Sequence, residues 1–124
     1  MKELITASAA LTSLIALTYW ARAVPTRAWG EATPRAPARA FAVALSTIAL
    51  QTVASMVAAG PAAGLAVVAA SWMVLGWLLV LAMNQWPQAS LRWAWALGLA
   101  GGCSCVLAIA WAALEWAHAL GGAG

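Results

Sequence analysis

The sequence predicts an all-α integral membrane protein: four transmembrane helices in an antiparallel bundle, with both termini outside. Three observations predict it. Of 124 residues, 65% are hydrophobic and only 7% charged, whereas an ordinary soluble domain carries about 25% charged residues. A soluble chain this short has too little interior to hide so much apolar surface, and disorder demands the opposite composition. Second, four apolar runs (residues 4–21, 40–59, 62–83 and 93–114) contain no Lys, Arg, Asp or Glu. Each approaches or exceeds the roughly 20 residues that cross a hydrocarbon core. Third, the runs lack the apolar/polar alternation of barrel strands, so helices are the form that satisfies their backbone in lipid.

The first run follows Lys2 and precedes Ala21-Arg22-Ala23, a crude likeness to a signal-peptide cleavage site. The stretch is longer than a usual signal core and Arg22 sits within the would-be site, so a retained spanning helix is expected. Residues 22–39 come next, with Pro25, Pro34 and Pro37, four arginines and Glu31. So polar and proline-broken a segment is expected outside lipid, extended or in turns. The second and third runs are separated by Gly60-Pro61, which predicts a tight hairpin. The third and fourth are joined by residues 84–92, read as a short loop around Pro87. The fourth run is expected to continue as helix past Glu115 to residue 120, where the glycine-rich tail stops it. The whole chain, 1–124, reads as a single integral-membrane domain.

Orientation follows from the cations. Arg22, Arg27, Arg35, Arg39 and Arg92 fall on one side of a four-span arrangement and Lys2 alone on the other. The positive-inside rule then places the arginine loop in the cytoplasm and both ends outside. The expected location is the inner (plasma) membrane of a bacterium, multi-pass. The net charge of +3 is no sign of nucleic-acid binding, because the cations gather in a connection and not on a helix face.

Nine tryptophans in 124 residues are unusual. Trp20, Trp86, Trp93 and Trp95 fall near one interface and Trp111 and Trp116 near the other, as aromatic belts do; Trp29 lies in the arginine loop. Trp72 and Trp77 do not fit a belt, and Trp72 in particular falls near the bilayer midplane. An indole there is expected to pack against another helix. Thr47, Gln51 and Ser55 form a polar stripe at four-residue steps in the second run. An unsatisfied amide in lipid is costly, so Gln51 should face protein. Ala94, Gly98 and Gly102 repeat small residues at the same spacing, a pattern that lets helix backbones approach closely.

Few residues could carry chemistry. Glu115 and His118 are three apart on one helix face and form a possible proton or metal site; dinuclear centres in helix bundles need several carboxylates from other helices, and the other two here, Glu3 and Glu31, fall in a terminus and a loop. Cys103 and Cys105 are soft-metal donors, with Met56, Met73 and Met83 as conceivable partners. Cysteines two apart on a helix diverge, so joint ligation requires the backbone to unwind at Gly101-Gly102. No phosphate loop, Ser/His/Asp set or H-E-x-x-H motif is present. The expectation is a protein that is not an enzyme and holds no cofactor: an accessory or assembly subunit in the bilayer, in contact with other membrane subunits or with itself. The alternative is a small homo-oligomeric transporter or channel. The four-span size is similar to that of small multidrug-resistance exporters, which use a glutamate in the first helix; here that helix has only Glu3 at its start, so the similarity ends at size.

Overall fold

The computed structural model describes residues 2–25 and 33–122. Arg27, Trp29 and Glu31 lie outside the described residues. The described chain is 93% helical. Its helices are α1 (Lys2–Ala23), α2 (Ala36–Ala59), α3 (Pro61–Gln85) and α4 (Pro87–Gly121). All four are long and apolar enough to cross a membrane.

The helix starts depart from expectation, and proline explains why. α2 begins at Ala36, four residues before the apolar run, with Pro37 in its first turn; Pro61 and Pro87 likewise open α3 and α4. Proline lacks the N–H that a first turn leaves unpaired, and its fixed φ suits a helix start. The loop expected over residues 84–92 is therefore corrected. Only Trp86 separates α3 from α4, and residues 87–92 form the first turns of α4. Between α2 and α3 the connection shrinks to Gly60, at φ 87° and ψ 169°. That backbone region is open essentially to glycine alone.

At about 1.5 Å per residue, the 22, 24 and 25 residues of α1, α2 and α3 span roughly 33–38 Å. The 35 residues of α4 span roughly 52 Å. The surplus emerges at one end: residues 113–122 are all exposed. α1 is the central helix, packed most extensively against α2 and α4. Two clusters make up the apolar interior. Leu14, Leu79, Leu91 and Ala94 join α1, α3 and α4, while Ala9, Ala54 and Cys105 join α1, α2 and α4.

The interior is otherwise small and polar. Thr12, Ser13 and Thr18 of α1, Thr47, Gln51 and Ser55 of α2, and Ser71 of α3 are buried. The large apolar side chains face outward, among them Met73, Leu81, Leu107 and Trp77, the last 69% exposed. A water-soluble bundle is built the other way round, and lipid is the solvent in which this arrangement satisfies both surfaces.

Candidate functional site

The densest polar constellation is the Gln51 carboxamide, with no exposed surface. Its Nε2 donates to the Ala9 carbonyl of α1 (2.6 Å), and its Oε1 accepts from the Trp72 Nε1 of α3 (2.8 Å). One side chain of α2 thereby fastens the helices on either side. Trp72 is here a structural ligand of the amide, with its indole donor used up. The buried hydroxyls mostly turn back on their own helices: Thr12 donates to the Ser8 carbonyl (2.8 Å), Ser13 to Ala10 (2.7 Å), Thr18 to Leu14 (2.6 Å) and Ser71 to Val68 (2.8 Å). Such bonds let a hydroxyl lie in an apolar interior at little cost. Among the described residues Ser55 Oγ is the one buried side-chain polar atom without a partner. Thr47 is buried in the same α2 stripe.

Fastening of α4 depends on missing side chains. A Cβ added to Gly98 would lie 2.7 Å from both the backbone N and the Cγ1 of Ile15. One added to Gly101 would lie 2.6 Å from the Ser8 carbonyl oxygen. Gly64 does the same between α3 and α2, 2.8 Å from Met56 N and Ser55 C. Gly102 is buried, but a Cβ there would meet nothing nearer than 3.5 Å. Ala94 is buried in the Leu14 cluster. The close approach therefore runs through Gly98 and Gly101. The expected four-residue ladder of Ala94, Gly98 and Gly102 includes only one of the two. Spacing could have found Gly101: buried residues 91, 94, 98, 101 and 105 alternate steps of three and four, the seam along which helices in a left-handed supercoil stay in contact.

The structure keeps the candidate metal donors apart. α4 is continuous through Gly101-Gly102, so Cys103 faces outward while Cys105 is buried, its Sγ 3.7 Å from Thr12 Oγ1. Among the described residues no group of three or more His, Cys, Asp or Glu is placed to hold a metal ion. Glu115 is exposed and accepts from the Trp111 Nε1 one turn earlier (2.8 Å), and His118 is exposed a turn further on. In the folded protein an apolar, membrane-permeant maleimide should therefore modify the outward-facing Cys103, slowly because a thiol among acyl or detergent chains stays protonated, and spare Cys105 until the bundle is unfolded. Mass spectrometry of peptides carrying each thiol checks this; equal modification of both in the native state would contradict the packing.

Three of the surface hollows are lined by described residues. One of about 450 Å³ opens between α3 and α4 over Leu14, flanked by Trp86, Ser90 and Trp93. A second, of about 290 Å³, lies among α1, α2 and α4 and is lined by Thr12, Ser46 and Thr47 with apolar neighbours. The third, of about 490 Å³, is lined by Thr33, Pro34, Arg35 and Arg39.

Four apolar helices around a small, hydroxyl-rich interior define the class as membrane-spanning helical proteins. Beyond the class, no family model matches the chain, and searches of curated proteins and of solved structures return no match.

Proposed function

We propose that the chain is a non-catalytic subunit of the bacterial inner membrane, an accessory or assembly protein that packs against a larger membrane complex. In this reading the helices alternate in direction, the arginine-bearing connection faces the cytoplasm and both ends face outward. The pairing of Gly98 with Ile15 and of Gly101 with Ser8 supports opposed directions for α1 and α4, since one number rises as the other falls. Five arginines against Lys2 support the orientation.

One observation carries the functional reading: the outward face of α3. Trp77 is 69% exposed, four residues from the helix centre, where an indole N–H surrounded by acyl chains has no acceptor. A neighbouring protein helix would supply one. The Gln51 carboxamide and the Trp72 indole N–H, by contrast, are spent on holding helices together.

Purification of the tagged chain in a mild detergent should bring a second membrane polypeptide with it, and Trp77→Ala should lower the yield of that polypeptide without lowering the yield of the chain. A homogeneous single species from wild type would overturn the proposal. The hollow among α1, α2 and α4, mostly apolar with Thr12, Ser46 and Thr47 in its wall, favours a second reading, a homo-oligomeric transporter. Reconstituted vesicles separate the two: substrate-dependent proton flux abolished by Glu115→Gln belongs to the transporter alone.

A further inference from the structure

We propose that Arg35 and Arg39 form a binding site for the phosphate of an anionic phospholipid. The two residues stand one helical turn apart at the start of α2, joined by the backbone bond from Arg39 N to the Arg35 carbonyl (3.1 Å). Side chains at this spacing share a helix face, and like charges there repel. Both nevertheless line one hollow of about 490 Å³, together with Thr33 and Pro34. Both are exposed, and among the described residues neither forms an ion pair.

Among the described residues neither guanidinium has an ion-pair partner, which leaves their shared hollow open to an anion. Guanidinium suits phosphate because its planar fork of donors matches two oxygens at once. The Thr33 hydroxyl at the rim adds a neutral donor.

Depth selects the source of that phosphate. Arg39 directly precedes Ala40, which is buried in the bundle and begins the uncharged run of α2. The guanidiniums therefore lie at the edge of the hydrocarbon, where lipid phosphates are concentrated and where a cytoplasmic leaflet carries its negative charge. A headgroup so held would also stay beside α2 without leaving the bilayer. The inference rests on the helices spanning a membrane, and not on the accessory role.

The test uses the full chain in neutral detergent micelles doped with phosphatidylglycerol, with phosphatidylcholine, or with neither but with inorganic phosphate added. Phosphatidylglycerol should raise the Tm of wild type by several degrees more than phosphatidylcholine does. The double variant R35Q/R39Q should lose that difference, and R92Q, which removes a cation from the same end but not from the hollow, should keep it. Native mass spectrometry of the same samples should find phosphatidylglycerol retained by wild type and R92Q and lost from R35Q/R39Q. Equal shifts with the two lipids, or an equal loss in R92Q, would overturn the site. A shift with inorganic phosphate matching that with phosphatidylglycerol would overturn the lipid as its ligand.

Discussion

Gln51→Ala should destabilise the bundle by about 3 kcal/mol. The estimate combines two lost interhelical hydrogen bonds, at roughly 0.6 kcal/mol each in a membrane, with a void left by truncation that costs about 2 kcal/mol or more. Gln51→Leu separates the parts, because it keeps most of the volume and removes only the bonds. It should cost about 1–2 kcal/mol, much of it from the Trp72 N–H stranded in the interior. Trp72→Phe in the Gln51→Leu background should then cost less than it does alone, since the stranded donor is gone with its partner. The pair should show a coupling of about 0.5–1 kcal/mol in a double-mutant cycle. Unfolding of the purified protein in mixed micelles at rising denaturing-detergent fraction gives all four corners of that cycle. A Gln51→Leu protein as stable as wild type would mean that the amide is a passenger in the interior.

The depth of Gln51 was legible before any coordinates, and its partners were not. A carboxamide in mid-membrane must find hydrogen bonds, so the polar stripe points to a helix contact. Which atoms answer depends on helix rotation, and that is fixed by packing across the whole bundle. Ala9, whose carbonyl accepts from Gln51, carries no polar side chain that could betray it. The buried hydroxyls of α1 are hidden for a related reason. Thr12, Ser13 and Thr18 bond to carbonyls three or four residues back, which suits lipid-facing and buried positions alike. Their burial marks α1 as the central helix, and its composition alone does not distinguish it from its neighbours. The four spans themselves were plain, because charge exclusion over about 20 residues is a collective signal that no single side chain can hide. Helix ends were less plain. Pro37, Pro61 and Pro87 read equally well as breakers and as first-turn residues, and in this chain all three begin helices.

Substitutions along α4 should separate close approach from mere smallness. Gly101→Ala places a methyl 2.6 Å from the Ser8 carbonyl oxygen and 2.9 Å from Leu11 Cβ. Neither can swing away, because one is backbone and the other is fixed to it. Gly98→Ala meets the Ile15 backbone N at 2.7 Å and has no more freedom. Overpacking of this kind typically costs about 1–3 kcal/mol, and the better helix propensity of alanine returns about 0.8–1 kcal/mol of it. Net losses of up to about 2 kcal/mol are expected at each. Gly102→Ala has room, with Ile15 Cδ1 at 3.5 Å and Thr12 Cγ2 at 3.7 Å, so it should be neutral or slightly stabilising. The contrast between neighbours is informative because Gly101 and Gly102 share composition, depth and burial, and differ only in what of α1 they meet: backbone atoms at Gly101, side-chain ends at Gly102. Gly101→Leu should have the largest effect, about 3 kcal/mol or more. It wedges α4 off α1 and pulls Cys105 from Thr12, so Cys105 should become reactive toward maleimide in the native detergent state while Cys103 reacts as before. Equal tolerance at residues 101 and 102 would mean that α4 does not meet α1 through these glycines, and the central place of α1 in the bundle would fall with it.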